Sequence, residues 1–306
     1  MLQRIHFEPM INFSRNIISL SRVRQWYKNS LLFIGIIFSL NLFIFSLWIS
    51  VILAFISFCM LSSSAYIVND AVDFNNDRIH PIKNQRPISS GKISRKIGIA
   101  ISFFLMIVGL FIAFNINLQF FVISIIFLAF TNSYSIYLKH FAIIDAIIIG
   151  INFVIRAIAG CVAINVSISP WIISCVLLLA LLLVFGKRRQ ELIILQYKAN
   201  NHRASLQDYS LENLDEIICI TACALLISYS LYAYGTDYHQ MMITIPIIIY
   251  ALFRYMILLH SKNIGGDPEL ILKDKGIRTA FLIWAFISLI VLYYLPEITI
   301  QLLGFT

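Results

Sequence analysis

Three aspartates gather at the end of one apolar run, Tyr66-Ile67-Val68-Asn69-Asp70-Ala71-Val72-Asp73-Phe74-Asn75-Asn76-Asp77. Asp70, Asp73 and Asp77 stand at i, i+3 and i+7, and Asn69 precedes Asp73 by four, so a helix here carries four oxygen-bearing side chains on one face. Carboxylates this close at the edge of hydrocarbon repel one another and are costly to desolvate unless a cation joins them. An all-oxygen set suits Mg²⁺, which takes one or two carboxylates and completes its shell with water and substrate phosphates. The plainer alternative is a solvated helix end. It leaves unexplained why acids cluster here in a chain with only 15 Asp and Glu.

The chain continues Arg78-Ile79-His80-Pro81 and then Lys83-Asn84-Gln85-Arg86-Pro87-Ile88-Ser89-Ser90-Gly91-Lys92. Pro81 ends the helix, and Lys83, Arg86 and Lys92 bring cations to a segment that has just presented anions. A ligand with both metal-bound and free phosphate oxygens satisfies the two sets together. Membrane topology alone is the competing explanation of the bases, and His80 reads as a loop or capping residue. Asp145 and Arg156 are ionisable residues inside one apolar run, eleven residues apart and so on one face. Their separation of about 16 Å excludes a direct pair, so Asp145 calls for a substrate hydroxyl or Lys139, and Arg156 for an acid on another helix. Five cysteines (Cys59, Cys161, Cys175, Cys219, Cys223) lie in apolar segments without a CxxC pair and read as small buried hydrophobes.

The elements that must position these groups are membrane helices. Of 306 residues, 60% are hydrophobic and 12% charged, with a mean hydropathy of +0.86. A soluble core cannot absorb that much apolar surface, and disorder is excluded. Continuous apolar runs also exclude a porin-like barrel, whose strands alternate polar and apolar residues. Nine spans are expected, at about 29–42, 45–68, 96–114, 117–136, 141–163, 169–186, 214–235, 241–260 and 278–296. Residues 1–28, where Ile11, Ile17, Ile18, Leu20 and Val23 interleave with Arg4, Arg15, Arg22, Arg24 and Lys28, suggest a helix on the membrane surface. The connections 41–46, 115–117, 164–170 and 235–240 and the tail after 294 lack Lys and Arg, while 70–96, 137–140, 187–213 and 261–278 are basic. That alternation predicts a cytosolic N-terminus and a C-terminus outside, with the chemistry facing the cytosol from the cytoplasmic membrane. The net charge of +8 belongs to these loops and to lipid headgroups, and no nucleic-acid partner is expected. The fold class is therefore all-α integral membrane, a single bundle of about nine transmembrane helices over 1–306.

The stretch Asn69-Asp70-x-x-Asp73-x-x-x-Asp77, with Lys83, Arg86-Pro87 and Gly91 after it, resembles the first aspartate-rich motif of the UbiA superfamily of intramembrane prenyltransferases. Further stretches look more like one branch, the decaprenyl-phosphate phosphoribosyltransferases: Arg24-Gln25-Trp26-Tyr27-Lys28-Asn29, Tyr134-Ser135-x-x-Leu138-Lys139 leading to Asp145, Arg156-Ala157-x-Ala159-Gly160, Gly186-Lys187-Arg188 with Glu191, and Arg254-Tyr255. The resemblance spans nearly the whole chain and implies nine helices, Mg²⁺ and a polyprenyl substrate. One departure from the aromatic prenyltransferases stands out. Where those enzymes carry a second aspartate-rich motif, in the loop after the sixth span, this chain has Gly186-Lys187-Arg188-Arg189-Gln190-Glu191. Fixed cations there suit direct capture of a phosphate monoester. Asp208, Glu212 and Asp215 follow as either a degenerate acidic cluster or a helix start.

The resemblance implies transfer of 5-phosphoribose from phosphoribosyl diphosphate to a polyprenyl phosphate. Asp70, Asp73 and Asp77, with Asn69, would hold Mg²⁺ on the departing diphosphate, and Asp73, Asp77 and Asp145 are the expected catalytic acids. Lys28, Asn69, Lys83, Arg86, Tyr134, Lys139, Arg156, Lys187 and Arg188 are the expected substrate contacts. Lys28 beside Trp26 reads equally as an interfacial anchor. The alternative is prenyl transfer from a prenyl diphosphate to an aromatic acceptor. A transporter or lipid-binding protein is the more distant rival, since acids confined to one rim make a poor transmembrane relay.

Overall fold

The computed structural model describes residues 15–79, 83–167, 169–195, 206, 208–236, 238–261, 271 and 273–294. Expectations resting on Arg4, Ile11, His80, Pro81 and the tail after 294 lie outside the described residues. Within them every regular element is helical. Eight helices are long and apolar enough to cross a membrane: α1 (Phe45–Val72), α2 (Arg95–Ile116), α3 (Leu118–Ile136), α4 (Ile144–Ala163), α5 (Pro170–Leu195), α6 (Leu211–Gly235), α7 (Ile245–Ser261, entered through a 3₁₀ turn at His239–Thr244) and α8 (Lys275–Tyr293). Large side chains such as Phe103, Phe104, Phe111 and Phe114 stay exposed on α2, as expected of a surface solvated by lipid.

The segment expected to span at about 29–42 has a different form. Val23–Phe33 is a 3₁₀ helix of 11 residues that passes into a short α-helix, Ile34–Phe38. A 3₁₀ run of this length has poor internal hydrogen-bond geometry and needs outside support. Trp26 Nε1 donates to Ser63 Oγ at 3.0 Å and Asn29 Nδ2 to Cys59 Sγ at 3.3 Å, fastening the segment to α1. At Gly160 a Cβ would fall 2.0 Å from the Leu32 carbonyl oxygen, so glycine is what lets α4 approach this backbone. Rising about 2.0 Å per residue, the 3₁₀ run covers roughly 22 Å where an α-helix would cover about 16 Å.

The contacts divide the chain into two compact units. The first holds Met1–Ile36, Ile44–Leu138 and Ile155–Val166; the second holds Ile37–Phe43, Lys139–Val154 and Ser167–Thr306. In the first unit α1 and α2 pack through small residues. Ser57 Oγ donates to the Gly109 carbonyl at 2.8 Å, Ser64 and Ser102 share a hydroxyl contact at 2.9 Å, and Gly98 leaves room for Ile88. With lipid outside, close backbone approach and interhelical hydrogen bonds replace the hydrophobic drive of a soluble core. Asn117 turns the chain in one residue, capping α3 by accepting from Phe120 N–H and donating to the Val162 carbonyl at 3.0 Å. In the second unit α5, α6 and α7 bury Leu182, Phe185, Leu214, Ile218, Leu252 and Leu258 in a common core.

Candidate active site

The aspartate motif sits where α1 ends. Asp73 caps that end, its N–H bonded to the Asn69 carbonyl, and the chain resumes as a short helix, Phe74–Ile79, with Asp77 N–H on the Asp73 carbonyl at 2.8 Å. The expected single helical face is thus delivered across a helix break. Asp70 and Asp77 are buried at 1% and 2% exposure, and Asp73 is half-buried.

The cation that these acids require is present as arginine. Arg86 Nη1 lies 2.9 Å from Asp70 Oδ1 and 2.5 Å from Asp77 Oδ2, so two buried carboxylates converge on one nitrogen. Arg22 Nη2 also pairs with Asp70 Oδ1, and its guanidinium lies 5.1 Å above the Tyr66 ring. Arg22 was assigned only to the interfacial segment by sequence. Its partner is 48 positions away, and its backbone takes the left-handed conformation at φ 47°, neither of which spacing reveals. The convergence of two carboxylate oxygens on a single cationic atom, at a helix end beside further bases, fits a divalent ion held by the same oxygens. Among the described residues no group of three metal-ligating side chains is assembled; the arrangement holds two guanidinium groups, Arg22 and Arg86, and two acids.

Arg156 is also buried in the first unit. Its Nε donates to Asn29 Oδ1 at 2.9 Å and its guanidinium lies 4.8 Å from the centre of the Phe127 ring, where an acid on another helix was expected. Asn29 also receives Ser62 Oγ at 3.4 Å. An amide oxygen and a ring face are the partners this structure gives a cation kept inside a span. This network anchors the 3₁₀ segment to α4.

The cationic stretch expected as a loop is helical. α5 continues to Leu195 and carries Lys187, Arg188 and Arg189 on its last turns. Arg188 is buried and engaged, Nη2 to Asp145 Oδ2 at 2.8 Å and Nη1 to Glu191 Oε2 at 2.6 Å. Arg188 and Asp145 thus face each other, a pairing not contained in the expectations of a phosphate for Arg188 and of a substrate hydroxyl or Lys139 for Asp145. The physical reason is burial, since Asp145 at 0% exposure needs a counter-charge, and Arg188 on α5 supplies one. Asp145 also sits in the first turn of α4, where the helix dipole favours an anion. Tyr209 secures the entry to α4, its hydroxyl accepting the N–H of Ile143 at 2.6 Å. Ile143 holds φ 64°, a costly conformation for a β-branched residue. Burial keeps the Tyr209 phenol above its ordinary range, so it stays neutral.

Sequence reasoning missed two further ion pairs of the second unit. Arg189 Nε lies 2.5 Å from Asp215 Oδ1, and Nη1 reaches the Leu259 carbonyl at 3.4 Å, tying α5 to α6 and α7. Arg254 and Asp274 form a two-contact pair at 3.1 and 2.8 Å between α7 and α8. The partners stand 26 and 20 positions apart in the sequence, so their pairing depends on helix register. Glu212 lies in the first turn of α6 behind the Ser210 cap, in keeping with the helix-start reading of that acidic stretch. Of the other expected substrate residues, Lys28, Asn69, Tyr134 and Lys139 are half-buried, whereas Lys83 and Lys187 are exposed. Cys219 and Cys223 are exposed, contrary to the reading of all five cysteines as buried.

The UbiA prenyltransferase family model matches residues 30–273. A decaprenyl-phosphate phosphoribosyltransferase of Mycolicibacterium smegmatis is 29% identical over 90% of this chain and 92% of its own length. One of Corynebacterium glutamicum is 28% identical over 94% and 90%. Among solved structures, a UbiA homolog from Archaeoglobus fulgidus bound to GPP and Mg²⁺ superposes with a TM-score of 0.70 at 16% identity, covering 90% of this chain and 99% of that one, which is a likeness of fold. The family match over most of the chain, the helical fold and the acidic motif at the end of α1 agree: the chain belongs to the UbiA prenyltransferase family and is a membrane transferase.

Proposed function

We propose that this protein transfers 5-phosphoribose from phosphoribosyl diphosphate to a polyprenyl phosphate in the cytoplasmic membrane, working from the cytosolic side. The observation that carries the reading is the pair Asp70 and Asp77 converging on Arg86 Nη1, in a chain nearly as long as the relatives that bear the phosphoribosyltransferase name. A divalent cation, taken as Mg²⁺, would be held by Asp70 and Asp77 with Asp73 beside them, and would supply positive charge to the departing diphosphate.

This chain's own residues do the remainder. Arg86 and Arg22 offer guanidinium donors to diphosphate oxygens, while Lys83 is exposed on the same loop. The bond from ribose C1 to the diphosphate oxygen breaks, its electron pair leaving with diphosphate. An oxygen of the lipid phosphate forms the new bond to C1. The nucleophile is already anionic, so no residue need remove a proton, and positioning supplies most of the rate. Lys187 and Lys139 serve the lipid phosphate. Arg188, engaged by Asp145 and Glu191, stiffens the turn that presents Lys187.

Prenyl transfer from a prenyl diphosphate is the second reading. It uses the same acids, and the engagement of Arg188 and Arg189 by carboxylates favours it, because fewer cations remain for a monoester. Membranes containing the protein, given radiolabelled phosphoribosyl diphosphate with polyprenyl phosphate, should move label into the lipid phase. Parallel membranes given labelled prenyl diphosphate and 4-hydroxybenzoate should form no prenylated acceptor. The reverse pattern would establish the second reading.

A further inference from the structure

In the second unit α7 and α8 leave a groove of about 570 Å³ between them. Tyr250, Lys275 and Gly276 line it near the start of α8, and Pro246, Ala280 and Ile283 line it further along. At Gly276 α8 meets Tyr250 closely, since a Cβ there would lie 2.7 Å from Tyr250 Oη and 3.1 Å from Asp274 Oδ1. The small Ala280 one turn on leaves room between the two helices. The Arg254–Asp274 pair fixes the two helices at this end.

Among the described residues the charge at that end is one-sided. Asp274 is occupied by Arg254 and by the N–H of Ile277. Lys275 is exposed, and among the described residues no carboxylate lies within ion-pair distance of it. Lys273 and Arg278 are also exposed, so Arg254, Lys273, Lys275 and Arg278 outnumber Asp274 by three. Apart from Thr279, whose hydroxyl donates to the Lys275 carbonyl at 2.7 Å, the remaining wall is apolar and belongs to two membrane spans. From Lys275 to Ile283 is about 12 Å along the helix, most of the roughly 15 Å of hydrocarbon in one leaflet. An occupant must therefore be anionic at one end and a hydrocarbon chain at the other.

We propose that the groove binds an anionic phospholipid of the bilayer, with its phosphate against Lys275 and the Tyr250 hydroxyl and one acyl chain between α7 and α8. Basic residues at the end of a span attract anionic headgroups. The substrate polyprenyl phosphate fits the site less well, because none of the lining residues belongs to the aspartate motif or to the stretch 186–191. The inference does not depend on which donor the enzyme uses.

Native mass spectrometry of the full chain in uncharged detergent tests it, titrating phosphatidylglycerol against phosphatidylcholine. One phosphatidylglycerol should be retained at concentrations at which phosphatidylcholine is not. Lys275→Ala should weaken retention about tenfold or more, the size of one charge-assisted contact. Ala280→Leu, which fills the groove, should abolish retention, and Lys96→Ala, an exposed base on α2, should change nothing. If Ala280→Leu does not fold, the exposed Lys275→Ala and Lys96→Ala pair decides alone. Equal retention of both lipids, indifference to Lys275→Ala, or displacement of phosphatidylglycerol by equimolar polyprenyl phosphate would overturn the proposal.

Discussion

At Asp70 two guanidinium groups share one carboxylate oxygen, and Arg86 extends the pairing to Asp77. The acids were legible in the sequence because charge inside or beside an apolar run is expensive and therefore rare. Their partner Arg22 was not, since only folding brings position 22 to position 70. Asp77→Asn keeps volume and one hydrogen-bonding oxygen but removes the charge. A charge-assisted contact worth about 1.5–3 kcal/mol corresponds to a roughly 10- to 100-fold fall in turnover. Initial rates at saturating Mg²⁺, normalised to membrane-inserted protein, measure it, and a variant within twofold of wild type would remove Asp77 from the site. Lys187 and Arg188 are neighbours with opposite fates, one exposed and one buried. Lys187→Ala should leave thermal stability unchanged and raise the KM for polyprenyl phosphate about tenfold or more. Arg188→Ala strands the buried Asp145 and should cost about 3–5 kcal/mol of stability, read as a large fall in Tm in detergent. If the two variants behave alike, Arg188 is not the strut described here.

Among the elements, spans α1 to α8 follow the apolar runs closely because each must be long enough to cross hydrocarbon and must satisfy its backbone internally. Two elements broke the pattern for identifiable reasons. The 3₁₀ segment Val23–Phe33 depends on hydrogen bonds to Ser63 and Cys59, long-range partners with no local signature. The stretch Gly186–Glu191 reads as loop by charge, yet it is helical because its arginines are neutralised by acids on neighbouring helices and by Glu191. The start of α8 offers a pH test. Asp274 caps that helix and faces Arg254, which holds its carboxyl below the usual range, at about 2. A depressed carboxyl stabilises the fold above its unfolded pKa near 3.8 and loses that contribution as pH falls towards 2. The difference in Tm between wild type and Asp274→Asn should therefore be constant from neutral pH down to about pH 5 and shrink between about pH 4 and 2. A difference that grows on acidification would contradict the pairing.

For the whole molecule, the proposed sidedness is read from the alternation of basic and uncharged connections. Each ion pair described above lies at the end of a span that adjoins a basic connection. With eight helices of spanning length and the 3₁₀ segment before them, the account requires the N-terminus in the cytosol and residue 306 outside. A reporter fused after Thr306 should be active only outside the cytosol, and cytosolic activity would require the site to be redrawn. The division into two units was not legible, because hydropathy marks where spans run and says nothing of which of them cluster. The donor specificity is likewise chemistry that the motif shares across its family. Mass spectrometry of the lipid product made by purified protein from unlabelled phosphoribosyl diphosphate, polyprenyl phosphate and Mg²⁺ addresses it most directly. The expected product is a polyprenyl phosphate heavier by one phosphoribosyl group, formed with one equivalent of diphosphate and made roughly 10- to 100-fold more slowly by Asp77→Asn. Unchanged polyprenyl phosphate, together with prenylation of an aromatic acceptor by the same preparation supplied with prenyl diphosphate, would contradict it.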